Sequence, residues 1–416
     1  MKETKQFEYK EKITNTFLKT VSAFANYEGG EIIFGVSDDG VVKGFSNPTS
    51  TCLDIENRIN DSISPQPEYT LRIIERDGTI SLIVKPGTNK PYLYRSKAYK
   101  RNDTATIEVD TLEFSRLVLQ GKNIKYEELP TEAKNLTFFV LEKKMQAQMG
   151  IEKLSSDILK TLNLYSDKNG FNNAAAILAD TNDFPGIDMA RFGASINIIN
   201  KRARFDNQSI ISAFENAVNI FKDYYLYEEV AGSVRRTIER IPEAAFREAV
   251  ANALIHRTWD IDAQIRVLMF DDRIEITSPG GLPEGISKEE YLSGNISILR
   301  NPIIANVFYR LGIVEIFGTG VLRIIQSYNE SIKKPLFDVS ENTIKVTLPV
   351  TESDLELTAD EKAIYGLLSH NIAKSISEIM KSAEFGKSKV SSILKEMNKK
   401  GIVTIEGRGR GTKYRI

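Results

Sequence analysis

Cysteine occurs once in 416 residues, at Cys52, and histidine only twice, at His256 and His370. One thiol excludes an internal disulfide and a cysteine-rich zinc site. Two histidines exclude a histidine-cluster metal centre, so any metal must sit on oxygen ligands. Long apolar runs are missing as well: GEIIFGV and IRVLMF fall far short of the ~20 residues that cross a bilayer. The opening MKETKQFEYK has no apolar core of a secretory signal, and the expectation is a cytoplasmic protein. Net charge is almost absent, at -1, which by itself argues against a nucleic-acid partner. The average conceals an asymmetry: from Lys387 onward, nine lysines and arginines stand against two acids, Glu396 and Glu406, a basic segment able to meet phosphates.

What is present is apolar material for several cores, with 41% hydrophobic and 27% charged residues, so the chain is expected to be multi-domain. Near the start, ITNTFLKTVSAFAN has helical spacing, EIIFGV reads as a buried strand, and TLRIIER and TISLIVK flank an Asp77-Gly78 hairpin turn. TLEFSRLVLQG closes this segment as a helix, giving a first domain over residues 1–125. Residues 126–230 read as a mostly helical connection, with SIISAFENAVNIFKDYYL its longest amphipathic stretch. A third domain, 231–351, combines the helix EAAFREAVANALIH with strands IRVLMF, RIEIT and IKVTLPV. An acidic linker with a helix cap at Thr358 then opens a last domain, 352–416.

In the third domain Glu248, Asn252 and His256 recur every four residues, which aligns them on one helix face. Alone, that spacing is a weak signal, better described by an N-cap network or a solvated helix face. Three further signals follow in order: SPGGLPEG after a strand, then Arg300-Asn301-Pro302, then Gly318-Thr319-Gly320 running into a helix. Glycines let backbone N–H groups approach phosphates, and a helix start presents more of them. Together these describe a phosphate cradle.

On these residues, roughly 230 to 350, the chain resembles the GHKL ATPases, in the divergent branch found beside Schlafen AlbA-like domains in bacterial proteins. Glu248 to Asn252 matches the N box, SPGGLPEG with Ser278, Gly280 and Gly281 the first glycine box, and FGTGVLRI with Gly318, Thr319 and Gly320 the second. The resemblance implies ATP as ligand, Asn252 as the Mg2+ ligand, Glu248 as general base of a weak ATPase, and phosphate contacts from His256, Arg300 and Asn301. It departs where the family carries an adenine-reading aspartate, whose nearest equivalent here is Ser278. Base choice is therefore left open.

In the first domain, ETKQFEYK, SAFANYEGG and FGVSDDGVVKG, with Pro91-Tyr92 and Arg101 further on, resemble the Schlafen AlbA-like domain over about residues 1–120. That family is associated with nucleic-acid binding. Its nuclease members hold a divalent ion with two glutamates five residues apart and an aspartate after the FGV-type strand, positions taken here by Glu3, Glu8 and Asp38 or Asp39. The alternative function this implies is a metal-dependent RNase, using Mg2+ or Mn2+, that cleaves tRNA or rRNA in stress or phage defence. The bland reading is equally at hand, since Asp38-Asp39-Gly40 is an ordinary turn sequence. After Arg101 the family's Gly-Ser pair is replaced by Asn102-Asp103-Thr104.

In the last domain Val390, Ile393, Leu394 and Met397 form one apolar stripe, leaving Lys387, Lys389, Ser392 and Lys395 on the outward side. The following IVTIEGRGRGTKYRI alternates as a hairpin with Arg408 and Arg410 at its tip and Lys413 beyond it. This is the pattern of a winged helix-turn-helix, whose third helix enters the major groove and whose wing touches the backbone. The fold class expected is α+β multidomain: a mixed α/β AlbA-like domain, a GHKL-like α/β sandwich and a winged helix. The expected function is a DNA-binding transcriptional regulator, with RNA as the other partner considered, in which ATP occupancy tunes domain arrangement or dimerisation.

Overall fold

The run FLKTVSAFAN forms the helix Phe17–Asn26, in which every residue but Lys19 is buried, as an apolar helix sunk in a core must be. Its polar members are satisfied internally. Asn26 donates to the Tyr92 carbonyl at 2.9 Å and accepts the Tyr92 N–H at 2.7 Å, while Ser22 donates to the same carbonyl at 2.7 Å. Gly30 follows because a Cβ there would lie 2.5 Å from the Phe24 ring. The structure, a computed structural model, describes residues 3–231, 234–283, 285–294, 298–315, 318–329, 331–351, 357–369, 372–407 and 409–416. The chain divides into two compact units, Met1–Tyr126 and Glu127–Ile416.

The first unit carries a four-stranded sheet in the order Phe7–Lys10, Gly30–Phe34, Thr79–Val84, Tyr69–Ile74. The outer pair Phe7–Lys10 and Gly30–Phe34 is parallel and the others are antiparallel. The hairpin turns at Asp77-Gly78, with Gly78 at φ +67, a backbone conformation that favours glycine. Phe17, Phe24, Ile32, Phe34, Ile80 and Leu82 fill the core between helix and sheet.

The second unit is built on a six-stranded sheet in the order Ile199–Phe205, Ile187–Phe192, Ile265–Met269, Arg273–Pro279, Thr343–Pro349, Leu336–Val339. The helices Ile210–Tyr225 and Glu243–His256 pack on each other and on this sheet. Here the expectation of a mostly helical connection over 126–230 needs correcting. Ile187–Phe192 and Ile199–Phe205 are strands of the same sheet, and Ile187–Phe192 runs parallel to Ile265–Met269. The period-two signal in IDMARF is short, and it becomes decisive only when Ile187 and Met189 are buried against neighbours remote in the chain.

Toward the C-terminus lie the helices Ala359–Tyr365, Ile376–Ile379 and Lys387–Lys399, with a three-stranded sheet in the order Lys374–Ser375, Lys413–Arg415, Thr404–Glu406. Thr358 and Glu361 form a reciprocal capping box. Val390, Ile393, Leu394 and Met397 are buried as one stripe against Ile364, Ile379 and Tyr414. The chain as a whole is a mixed α/β multidomain protein, and among the described residues no helix is long and apolar enough to cross a membrane.

Candidate functional site

The helix Glu243–His256 is rich in alanine, a strong helix former, and buries Ala245, Phe246, Ala249, Val250, Ala253 and Leu254. Its remaining stripe turns Glu248, Asn252 and His256 into a cavity of about 1070 Å³, counted with its solvent-open mouth. The Asn252 amide donates to Glu248 Oε1 at 3.3 Å. Facing them is Gly320, where a Cβ would stand 2.5 Å from Glu248 Oε1 and 2.6 Å from Asn252 Nδ2. The Glu248–Asn252 pair and the Gly318-Thr319-Gly320 signal therefore meet at one point, and a side chain at position 320 would displace two polar groups that occupy the space. Gly318 lines the same cavity with φ +72. The floor is apolar and comes from the sheet, through Ile276, Ile344 and Val346.

Burial raises the pKa of Glu248, against the opposing pull of Arg323 and the Asn252 hydrogen bond. Burial also pushes His256 down to about 4, with Arg300 adding to the shift. His256 lines the cavity as a neutral imidazole at neutral pH, so the helix end does not offer a phosphate a cation there. Arg257 does not supply one either. It is fully buried, donates to the carbonyls of Pro185, Ile261 and Ala263, and lies 4.2 Å from the Trp259 ring centroid.

Several other expected phosphate contacts have different partners. Arg300 donates to the His256 carbonyl, Thr258 Oγ1 and the Gly281 carbonyl at 2.6–3.0 Å. Asn301 is buried and its amide is taken by the carbonyls of Ile255 and Arg257. Both brace the end of the Glu243–His256 helix. Gly280, at φ +99, is pressed against Thr258 and Arg300, and Gly281 against the backbone of Glu341, so close packing explains both glycines. Ser278 lines the cavity and donates to the Ala253 carbonyl at 3.1 Å. Thr319 is the N-cap of a helix, Gly320–Gln326, of only seven residues and makes no side-chain cap bond. The attraction of that short helix for an anion is correspondingly small.

Three features of this unit had no signal in the sequence. Arg323 Nη2 pairs with Glu315 Oε2 at 2.5 Å beside the cavity. Tyr291 lines the cavity with a phenol that burial pushes up to about 12. Glu127, fully buried, accepts the N–H groups of Ile303 and Ile304 at 2.6 and 3.0 Å, at the start of the helix Pro302–Arg310.

In the first unit the carboxylates of the nuclease reading are not gathered. Glu3 accepts the Tyr9 N–H at 2.9 Å, and Asp38 and Asp39 are exposed in the turn before Gly40. Glu8 is buried with Lys10 at 2.6 Å and Arg101 at 3.6 Å. Among the described residues no group of three or more His, Cys, Asp or Glu is placed to hold a metal ion. Both cations lie on Oε1 of Glu8, and its Oε2 is buried with no hydrogen-bond partner among the described residues. In the C-terminal segment Lys387, Lys389, Lys395 and Lys413 are exposed, and Lys389 pairs with Asp360 at 2.8 Å. Arg408, the side chain of Arg410, and His370 lie outside the described residues.

Comparison with known proteins places two families on the chain. Residues 3–110 match the family model described as Schlafen, AlbA_2. Residues 262–348 match the model described as "Putative ATP-dependent DNA helicase recG C-terminal", a GHKL-like domain. The second match begins after the helix that carries Glu248 and Asn252. The chain thus joins a Schlafen AlbA_2 domain at its N-terminus to a GHKL-like ATPase-type domain. No curated protein matches it. Among solved structures, the DIP2311 protein of Corynebacterium diphtheriae is similar at 19% identity and a TM-score of 0.49, over 99% of this chain and 92% of that one.

Proposed function

We propose that the cavity at Glu248, Asn252 and Gly320 binds ATP with Mg2+, and that the C-terminal segment binds DNA as a winged helix. Together these make the protein a nucleotide-responsive DNA-binding regulator that acts as a dimer. The observation that carries the reading is the convergence of Glu248 and Asn252 on Gly320 inside one cavity. The donor set fits the metal: with its amide nitrogen on Glu248, Asn252 keeps Oδ1 as a hard oxygen donor. Mg2+, when bound, neutralises phosphate charge there. Glu248, its pKa raised by burial, suits the role of a general base that takes a proton from water. The apolar floor excludes water and accepts a flat base, and Arg300 and Asn301 hold the helix end that presents His256.

For DNA, the exposed Lys387 and Lys395 on the outer side of Lys387–Lys399 and Lys413 on the hairpin support phosphate contact. The full chain should bind ATP in the presence of Mg2+ by titration calorimetry, and Asn252→Ala should lose that binding. Fluorescence anisotropy with a duplex DNA should then shift when ATP is added. ATP binding with no change in DNA affinity or oligomeric state removes the coupling; absence of ATP binding removes the nucleotide reading.

A further inference from the structure

Among the described residues lining the cavity, the charged side chains are Glu248 and Glu315, both acids, and His256 is neutral. A triphosphate entering such a site meets carboxylates and needs a protein cation as well as any metal. One stands at the edge. Arg323 lies one turn beyond Gly320 on the same helix, and its guanidinium is held by Glu315 at 2.5 Å. It is also near enough to Glu248 to lower that carboxyl's pKa. The Arg323 and Glu315 side chains are 40% and 50% exposed, and ion pairs of this kind are weakly held and easily exchanged. A phosphate group carries more charge than one carboxylate and matches the planar fork of a guanidinium.

We propose that Arg323 is the protein ligand of the terminal phosphate, and that Glu315 holds it in reserve while the cavity is empty, releasing it to the nucleotide on binding. This rests on the reading of the cavity as a nucleoside triphosphate site. Arg323 then sets the preference for triphosphate over diphosphate, and Glu315 competes with the ligand.

Titration calorimetry on the full chain with ATP, ADP and AMP in Mg2+ tests it. Arg323→Ala should weaken ATP about tenfold or more while changing ADP and AMP by less than about threefold, and Arg323→Lys should recover part of the loss. Glu315→Gln should tighten ATP several-fold, and the double variant should behave as Arg323→Ala, because Glu315 acts only through Arg323. An unchanged ATP-to-ADP ratio in Arg323→Ala overturns this proposal and leaves the nucleotide site standing. The same holds if Glu315→Gln has the same effect with and without Arg323. If the unmodified chain binds none of the three nucleotides, the nucleotide reading falls and this one with it. Both side chains are half exposed, so the unfolding midpoint of each variant should stay at that of the unmodified chain, and a shared loss of stability and ATP binding with ADP equally reduced also counts against the proposal.

Discussion

Gly320→Ala separates the stability of the second unit from its capacity to bind. The backbone at Gly320 is not in the left-handed region, so alanine is conformationally allowed, and at this first position of the helix its gain over glycine is smaller than the about 1 kcal/mol of a helix interior. The new methyl lands 2.5 Å from Glu248 Oε1, 2.6 Å from Asn252 Nδ2 and 3.2 Å from Asn252 Oδ1. These are the ends of flexible side chains, so they swing aside. Overpacking of this order costs about 1–3 kcal/mol, only partly offset by the helix gain, and the net loss of stability should be under about 3 kcal/mol. Binding has no such offset. Glu248 and Asn252 are driven from the positions in which they face the cavity, and the loss of about 1.5–3 kcal/mol corresponds to a roughly 10- to 150-fold weaker ATP. Thermal unfolding and titration calorimetry on one preparation measure both. ATP bound by Gly320→Ala as tightly as by the unmodified chain would refute the meeting of the two motifs as the binding determinant.

Other expectations follow from single contacts. Because His256 is held at about 4 in the fold against 6.5 for the free side chain, its neutral form stabilises the native state above pH 6.5. That contribution, roughly 3 kcal/mol in all, is lost as the pH falls from 6.5 toward 4. His256→Gln should remove this part of the acid dependence in denaturant unfolding at pH 7 and pH 4.5, and an identical pH slope in the variant would refute the assignment. Glu127→Ala leaves the Ile303 and Ile304 N–H groups without their carboxylate. It should cost about 2–4 kcal/mol, and a loss under about 0.5 kcal/mol in urea unfolding would show that water replaces the cap. Lys395→Ala and Lys413→Ala should each weaken DNA at every sequence and reduce the log-log salt slope by about 0.9. A slope that does not move removes that lysine from the interface.

The local spans were legible in the order of residues. The helix Glu243–His256 follows from its composition and period, and the Thr358 cap with Glu361 from two residues three apart. Each depends on interactions within one or two turns, which the chain carries wherever it folds. The four-residue spacing likewise fixed that Glu248, Asn252 and His256 share a face. What that face meets was decided by packing. Gly320 lies 68 residues along the chain from Asn252 and touches it only because the Gly320–Gln326 helix packs on Glu243–His256. Arg300 and Asn301 look like phosphate ligands in sequence, yet they serve the carbonyls at a helix end. Glu8 resembles a metal ligand until Lys10 and Arg101 are beside it. His256 is a cation or a neutral ring according to its burial. Period and composition determined the elements and the order of the motifs, because those signals are short in range. The tertiary structure alone decided which polar groups remain turned toward the cavity and in what charge state, because desolvation and long-range hydrogen-bond partners exist only once the elements are packed.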